Sequence, residues 1–347
     1  MKKAGIVFLC LALMLMTLSG CENLTQQKHR YKQNSLRIGV SIHDGYEAFV
    51  SDIVAGMDEW AKEKEKESQD AILLDVVSAG GSQLVQNDQV ARFMDKGYDA
   101  VCVNLVDRTD ASVIIDKAKN ANVPVIFFNR EPVAEDLARW DKLYYVGANA
   151  EQSGLLQAEL VIDTLGENGG FKRVDRSEDG VIQYVILEGE TGHQDALIRT
   201  QVSIEQIQQA GFSIEKLGDE IANWNRNQAE SKMKQLLEKY PSGIEMVIAN
   251  NDDMALGALD AINSLGAELP LIVGVDGMSE ALEMIKLKKL GGTVYNDAKG
   301  QAERIMQLAY NLASQGDDSA KAFNRAEYVD YRLIDYDNVQ EFIRMKE

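Results

Sequence analysis

Oxygen-bearing side chains alternate along one short segment, as they do in loops that bind calcium. Asp175, Ser177 and Asp179 occupy its positions 1, 3 and 5, with Gly180 at position 6 and Gln183 at position 9. Ca²⁺ takes six to eight oxygen ligands, and a glycine permits the sharp turn around the ion. The spacing predicts a calcium loop; an acidic hairpin turn without a metal is the alternative.

The end of this segment departs from the EF-hand pattern. Position 12, where an EF-hand places a bidentate glutamate, is Ile186, inside the apolar run Tyr184–Leu187. The loop therefore leads into a buried strand rather than a helix, and its last ligand has to come from another part of the chain.

The turn after this strand carries a histidine, a carboxylate and a guanidinium. His193 and Asp195 begin a predicted helix, and Arg199 shares a face with Asp195 four residues further on. Charge-assisted hydrogen bonds are stronger than neutral ones, so the group suits a polar ligand. A helix-capping aspartate with a surface ion pair is the alternative, and acid–base catalysis is another. The location after a strand favours a binding site.

Two aromatic side chains stand in polar surroundings. Phe49 follows the first predicted strand, and Trp224 lies between Asn223 and Asn225. A sugar ring has apolar faces that aromatic planes cover, and a rim of hydroxyls that carboxylates, amides and arginine bind. Phe49 alone is typical of a core residue at a helix start, whereas Trp224 is harder to explain as core.

Short apolar runs alternate with amphipathic stretches along most of the chain. Their Val- and Ile-rich character fits parallel strands covered on both faces, and the repeated βαβα pattern predicts two doubly wound α/β domains. The predicted strands are Leu36–Ile42, Ala71–Val77, Ala100–Val106, Pro124–Phe128, Tyr144–Val146, Gln183–Leu187, Phe212–Lys216, Met246–Ala249, Leu271–Val275 and Gly292–Tyr295.

Amides stand beside the carboxyl ends of strands in both halves. Asn104 closes the apolar run from Ala100, and Asn250 and Asn251 follow Met246–Ala249. Ligands of open α/β sheets bind at this edge. Two such edges facing each other would form a cleft between the domains.

The first residues resemble a bacterial lipoprotein signal. Lys2 and Lys3 precede an apolar run that ends in Leu18-Ser19-Gly20-Cys21, similar to a lipobox, in which the cysteine is lipidated. An ordinary signal with an incidental cysteine is the alternative. Residues 1–20 are predicted to be the signal and residues 21–35 a flexible tether.

The overall charge and the remaining cysteine exclude several functions. The chain has 55 acidic and 36 basic residues, a formal charge of −19, which repels nucleic-acid phosphates. Cys102 lies in an apolar run and is predicted to be an inert core thiol. A DNA-binding repressor is ruled out by the signal and by the lack of a DNA-binding head.

Several segments, taken in order, resemble the galactose/glucose-binding proteins, type I periplasmic sugar-binding proteins that feed ABC importers. The resemblance runs from Arg37 to about Phe342. It rests on Val103-Asn104-Leu105-Val106-Asp107, Phe127-Phe128-Asn129-Arg130-Glu131-Pro132, Tyr144-Tyr145-Val146-Gly147, Ile248-Ala249-Asn250-Asn251-Asp252, Gly274-Val275-Asp276 and Gly292-Thr293-Val294-Tyr295-Asn296-Asp297. No single segment is specific, but their order and spacing are.

The resemblance implies a type I fold and a set of binding residues. The sugar would stack between Phe49 and Trp224, and its hydroxyls would bind Glu47, Asn104, His193, Asp195, Arg199, Asn251, Asp276 and Asn296. A structural calcium ion would bind Asp175, Ser177, Asp179, the carbonyl of Val181, Gln183 and Glu245, the last supplying the missing carboxylate.

Three features depart from the family pattern. Ser177 replaces an amide or carboxylate, which would weaken calcium binding, and Glu47 replaces an aspartate that reads a ring hydroxyl, which would alter the choice between epimers. The third departure is the lipid anchor at Cys21, since the best-known members diffuse freely.

The function implied is that of a monomeric, lipid-anchored receptor on the outer face of the cell membrane, which delivers an aldohexose to an ABC importer. A sugar-sensing subunit that signals to a chemoreceptor or membrane kinase is the alternative. A glycoside-processing enzyme using Asp195 and Asp276 is disfavoured, because Arg199 and the amides keep carboxylates ionised.

The resemblance also suggests the division of the chain. The N-terminal domain would comprise residues 36–130 and 297–324, and the C-terminal domain residues 131–296 and 325–347. Crossings between them are predicted near Asn129–Pro132, Asn296–Lys299 and Phe323–Glu327.

Overall fold

The computed structural model describes residues 35–68, 70–315 and 323–346. Its strands are β1 Ser35–Ile42, β2 Ala71–Ser78, β3 Ala100–Val103, β4 Val125–Phe128, β5 Leu143–Ala148, β6 Ile182–Glu188, β7 Ile214–Ile221, β8 Met246–Ala249, β9 Leu271–Asp276, β10 Gly292–Tyr295, β11 Ala326–Val329 and β12 Arg332–Ile334. Every strand that the sequence predicts is present. The two short strands β11 and β12 were not predicted.

Helices alternate with these strands. In chain order they are α1 Ala48–Ser68, α2 Gln83–Asp95, α3 Ser112–Ala121, α4 Ala134–Leu137, α5 Ala150–Gly166, α6 Gly170–Val174, α7 Gln194–Gln209, α8 Arg226–Lys239, α9 Asp252–Leu265, α10 Ser279–Lys286, α11 Ala298–Gln315 and α12 Val339–Lys346.

Among the described residues, the strands form two sheets of six, and each sheet with its helices forms one lobe. The first sheet has the order β11-β5-β4-β3-β1-β2 and the second the order β12-β10-β9-β8-β6-β7. Pairing is parallel except between β10 and β12. Central strands such as β4 are wholly buried, whereas the edge strands β2 and β7 are mostly exposed or half-buried. These are the two doubly wound α/β domains that the sequence predicts.

The structure corrects two of the predicted domain boundaries. Strand β5 belongs to the first lobe, because Phe127 of β4 pairs with Tyr145. Strand β11 also belongs to the first lobe, because Ala326 pairs with Tyr145 on its other side. The chain therefore first crosses between β5 and α5, not near Asn129–Pro132, and crosses last between β11 and β12. The middle crossing, between β10 and α11, lies where the sequence predicts it.

The reason for the two errors is that a buried apolar strand carries no mark of the sheet it joins. The sequence shows that residues 143–148 form a strand, but the pairing partner is set by tertiary packing. The crossing predicted near Asn129–Pro132 is therefore wrong, because the chain pairs once more with the same sheet before it leaves.

A buried carboxylate joins three segments of the second lobe. Asp252, the first residue of α9, accepts hydrogen bonds from the Thr293 hydroxyl at 2.6 Å and from the Met278 N–H at 2.8 Å. Burial raises its pKa to about 7, against the opposing effect of these hydrogen bonds. The carboxyl group thereby ties the ends of β9 and β10 to the start of α9.

The raised pKa predicts how stability changes with pH. Because folded Asp252 holds its proton more tightly than the unfolded chain does, its contribution to the free energy of unfolding falls as pH rises from about 4 to about 7, by at most about 1.4 kcal/mol per pH unit. Asp252→Asn should remove this part of the slope, measured by urea unfolding at several pH values.

The same exchange at exposed Asp88 on α2 is the matched control and should leave the slope as in the unaltered protein. Identical slopes for the unaltered protein and Asp252→Asn would contradict the prediction.

Candidate functional site

Ten side chains from both lobes line one small cavity at the carboxyl ends of the strands. They are Glu47, Phe49, Asn129, His193, Asp195, Arg199, Trp224, Asn251, Asp276 and Asn296. Nine of these are residues that the sequence analysis singled out for sugar binding. The cavity has a volume of about 20 Å³, which is enough for roughly one water molecule. A ligand as large as a sugar ring therefore enters only when the lobes separate.

His193 is held by the helix that it starts. Its Nδ1 accepts the Asp195 N–H at 3.2 Å, which caps helix α7. Burial, followed by the nearby Arg130 and Arg199, lowers the pKa of His193 well below its ordinary value, so the ring is neutral at pH 7. With Nδ1 acting as an acceptor, the proton resides on Nε2, which is a donor for a ligand.

Arg199 is buried and fixed by three elements. Its Nε–H donates to the Ser153 hydroxyl of α5 at 2.9 Å, one terminal nitrogen donates to the Asn250 carbonyl after β8, and the other donates to the Tyr331 hydroxyl at 3.2 Å. A guanidinium has five N–H donors, so two remain for a ligand. The sequence predicts that Arg199 and Asp195 share a face. The guanidinium does act on that carboxyl group, because its charge opposes the rise in the pKa of Asp195.

The carboxyl groups of Asp195 and Asp276 both hold their protons more tightly than an exposed aspartate does. Burial raises the pKa of Asp195 to about 6, and it raises the pKa of Asp276 well above the ordinary value, in both cases against the influence of Arg199. Hydroxyl groups that donate to these oxygens would favour the ionised form. The carboxylates therefore bind hydrogen-bond donors more readily than they bind apolar groups.

Two amides complete the part of the rim from the second lobe. Asn251 caps helix α9 by accepting the Met254 N–H at 3.0 Å. The Asn296 carbonyl oxygen accepts from Gln301 at 2.7 Å, and its amino group lies 3.4 Å from Asp276. Since these contacts fix both amides before any ligand arrives, little entropy is lost when they bind one.

Trp224 lies against bare backbone. A Cβ added at Gly189 would come within 2.1 Å of the indole ring, so only glycine leaves room for it. The His193 ring stands edge-on to the same indole, with the ring centres 5.0 Å apart. The indole Nε1–H of Trp224 is buried without a hydrogen-bond partner. Phe49, from the first turn of α1, is buried and lines the cavity with it.

Three cavity residues have a left-handed or otherwise rare backbone conformation. The φ angles are 59° at Asn129, 59° at Trp224 and 120° at Asp276. Such conformations cost of order 1–3 kcal/mol for residues other than glycine and are concentrated at functional sites.

Asn129 lines the cavity and Asn104 does not, although the sequence analysis predicted Asn104 and missed Asn129. The Asn104 amino group donates to the Asn129 side-chain oxygen at 2.9 Å, so Asn104 lies behind it. The signal was present in Phe127-Phe128-Asn129, an amide directly after a strand like Asn104 itself. Asn104 instead supports the wall of the cavity.

Glu47 reaches the cavity with the help of His43. The His43 Nε2 lies 3.3 Å from a Glu47 carboxylate oxygen, and its Nδ1 lies 2.5 Å from the Asn104 side-chain oxygen. One buried imidazole thus lies between the carboxylate and the amide from the first lobe.

The predicted calcium loop brings its oxygens together. The Ser177 hydroxyl lies 3.1 Å from Asp175 and 3.4 Å from the Gln183 oxygen, and the Gln183 amino group donates to Asp179 at 3.0 Å. Oxygens that share a Ca²⁺ at 2.3–2.6 Å lie about 3–4 Å apart, so the two separations from the Ser177 hydroxyl fit a cation. Among the described residues, however, no group of three or more His, Cys, Asp or Glu is arranged to hold a metal. The calcium ion stays a prediction.

Glu245 holds this loop onto the sheet through backbone hydrogen bonds. One carboxylate oxygen accepts from the N–H groups of Arg176 at 2.7 Å and Ser177 at 2.9 Å, and the other accepts from Gln183 at 3.1 Å. A carboxylate has about four acceptor positions, so about one remains for a metal. The N–H group of Val181, whose carbonyl is a predicted calcium ligand, donates to Asp179 at 2.9 Å.

The remaining predictions concern the chain termini and the core. Cys21, the signal and most of the predicted tether lie outside the described residues. Within the described ranges, no helix is long and apolar enough to span a bilayer. Cys102 is fully buried, and burial raises the pKa of its thiol to about 12, as expected for an inert core cysteine.

Comparison with known proteins identifies the family of this chain. The periplasmic binding protein domain matches residues 38–318. The D-galactose/methyl-galactoside binding periplasmic protein of Haemophilus influenzae is 37% identical over 314 residues, which cover 89% of this chain and 92% of the relative. The ribose import binding protein of Bacillus subtilis is 29% identical over 315 residues, covering 90% and 92%.

A solved structure agrees with the sequence relatives. The ABC transporter solute binding protein from Bacillus halodurans, with bound myo-inositol, has a TM-score of 0.75 and 30% identity, covering 89% of this chain and 97% of that one. The predicted type I fold is confirmed. The chain therefore belongs to the periplasmic binding protein family and is a binding protein rather than an enzyme.

Proposed function

We propose that this protein is an extracytoplasmic receptor that closes around one aldohexose, glucose or galactose, and delivers it to an ABC importer. The observation that carries the proposal is the cavity where two aromatic side chains meet a rim of carboxylates, amides and one guanidinium. A hexose has apolar ring faces and hydroxyls that both donate and accept, so it uses every group of this rim.

The relatives support a ligand of this class. The Haemophilus influenzae relative is named for D-galactose and methyl-galactoside, and the Bacillus halodurans structure holds myo-inositol. Both ligands are six-membered rings that carry several hydroxyls. Myo-inositol is therefore the competitor against which glucose and galactose are compared by titration calorimetry; tighter binding of myo-inositol than of either hexose would overturn the aldohexose assignment.

The roles of the residues follow from their positions. Phe49 and Trp224 cover the ring faces. Around the edge, Asp195, Asp276 and Glu47 accept from hydroxyls, Arg199 donates its two free N–H groups, and the neutral His193 donates from Nε2. The amides of Asn129, Asn251 and Asn296 do both, with Asn104 supporting Asn129.

The Asp195 carboxylate should matter at least as much as the aromatic face. A micromolar sugar requires about 8 kcal/mol of net binding, of which an aromatic pair supplies roughly 0.5–1.5 kcal/mol beyond area burial. Hydrogen bonds to charged groups contribute about 1.5–3 kcal/mol each. Asp195→Ala should therefore weaken glucose or galactose binding at least about tenfold, and no less than Phe49→Ala, in titration calorimetry. Near-unaltered affinity of Asp195→Ala would sink the assignment.

The pH dependence of affinity provides a second test of Asp195. Hydroxyls that donate to the ionised carboxylate lower its pKa from about 6, so binding favours deprotonation. Affinity should be constant above about pH 7 and fall toward about pH 5. The charges acting on Asp195 are Arg199, Glu131, Glu47 and Arg108. Asp195→Asn should lose this part of the dependence; the same decline in both proteins would count against the role.

We also infer that the loop at Asp175–Gln183 binds calcium as a structural ion. Calcium that binds only the folded chain adds about 2.7 kcal/mol to stability at 100 times Kd, so a chelator should lower the melting temperature. The decrease should be smaller in Glu245→Gln, compared with and without chelator because the substitution also weakens backbone contacts. An unchanged melting temperature on chelation at neutral pH would mean that the loop holds no metal.

We further infer that Cys21 carries the lipid that keeps the receptor at the cell surface. Cys21→Ala should move the protein from the membrane fraction to the soluble fraction, whereas Cys10→Ala, the matched control within the signal, should not. Mass spectrometry of the N-terminal peptide would show the lipid directly. A membrane-free unaltered protein with an unmodified Cys21 would exclude the anchor.

A further inference from the structure

His43 lies between two acceptors, and the first of them fixes one of its ring protons. The Asn104 amino group donates to the Phe128 carbonyl at 3.3 Å and to the Asn129 side-chain oxygen at 2.9 Å. The Asn104 oxygen therefore faces the other way, where it accepts the backbone N–H of His43 at 3.2 Å. Because that oxygen cannot donate, the His43 Nδ1, which lies 2.5 Å away, carries a proton and donates it.

The second acceptor is the carboxylate of Glu47. One of its oxygens lies 3.3 Å from the His43 Nε2, and the two side chains are only 13% and 9% exposed. Among the described residues, this buried oxygen accepts no hydrogen bond. A histidine with a proton on Nδ1 alone would turn the lone pair of Nε2 toward the carboxylate, so two acceptors would face each other. A second ring proton removes this conflict and gives the buried carboxylate a positive partner.

The titratable groups around His43 favour a positive ring. Asp44 and Glu47 belong to its own segment, and Glu190 of the second lobe lines the same surface pocket. These carboxylates attract a cation. His193 of the second lobe is close enough to sense the charge of His43, but it is itself neutral and adds no repulsion between charges.

A positive ring also changes the balance of charge in the sugar cavity. Burial is the main cause that raises the pKa of Asp195 and of Asp276, and the negative charge of Glu47 adds to the rise at both. A carboxyl group that keeps its proton has fewer acceptor positions for hydroxyls than an ionised one. An imidazolium beside Glu47 offsets its charge, so the other two carboxyl groups ionise more readily when hydroxyls donate to them.

We propose that His43 is a positioning residue of the sugar site, an imidazolium that donates one ring proton to Asn104 and the other to Glu47. It acts on the sugar through these two side chains. Glu47 is held by one carboxylate oxygen, which leaves the other oxygen for a hydroxyl of the ring, and Asn104 keeps its amino group on Asn129. The proposal rests on the proposed hexose site.

The charge of the ring is tested without any sugar. Nitrogen NMR of the isotope-labelled protein at pH 7 should show a proton on both ring nitrogens of His43. The signals are assigned by their loss in His43→Asn or, if that variant does not fold, in His43→Gln. In Glu47→Gln, which removes the negative partner, Nε2 should lose its proton while Nδ1 keeps it. A neutral His43 ring in the unaltered protein would overturn the proposal.

A double-mutant cycle in titration calorimetry tests the action through Glu47. Asparagine reproduces the Nδ1 donor of histidine but not Nε2, so His43→Asn retains the contact to Asn104 and loses the one to Glu47. It should weaken galactose or glucose binding by at least about tenfold in the unaltered protein, and by less than about threefold in the Glu47→Gln background. Equal losses in the two backgrounds would indicate a merely structural role and overturn the proposal.

The exposed pair of Asp58 and Lys62 on α1 is the matched control, because it has the same spacing of four residues outside the cavity. Lys62→Gln should leave both the sugar affinity and the ring nitrogens of His43 unchanged. If neither hexose binds the unaltered protein, the proposed function fails and the role of His43 in binding fails with it, whereas the nitrogen signals still decide the ion pair.

Discussion

The site depends on the buried guanidinium of Arg199 and on the groups that hold it. Arg199 is removed from water and bound by Ser153 of α5, by the backbone after β8 and by Tyr331 in the last crossing segment. A buried charge is tolerated only when it is hydrogen-bonded and opposed by other charges. The carboxylates Asp195 and Asp276 supply that opposition. The guanidinium therefore couples the packing of the second lobe to the chemistry of the cavity, and it does so beside the last hinge segment.

Rigidity is the second property of the site. His193 and Asn251 cap the helices that follow them, and Asn296 is held by Gln301, so the polar rim is oriented before a ligand arrives. A binding protein gains affinity in this way because the entropy of ordering is lost during folding rather than during binding.

The loop after α6 serves the fold rather than the cavity. Glu245 connects it to the start of β8 through three backbone N–H groups, and none of its residues lines the site. Between the lobes, the Arg130–Glu190 pair spans the cleft, so the conformation seen here is one in which the lobes touch.

The sequence by itself determined ten of the twelve described strands and the two-domain class, because apolar runs are local patterns. It also gave nine of the ten cavity residues, of which Glu47, Asp276 and Asn296 came only from the resemblance to a known family. Tertiary structure alone decided which sheet β5 and β11 join, since every buried strand offers the same backbone hydrogen bonds. It also decided that Asn129 faces the cavity with Asn104 behind it, and that His43 lies beside Glu47. These choices depend on backbone angles and on contacts between residues far apart in the chain, which no local pattern encodes.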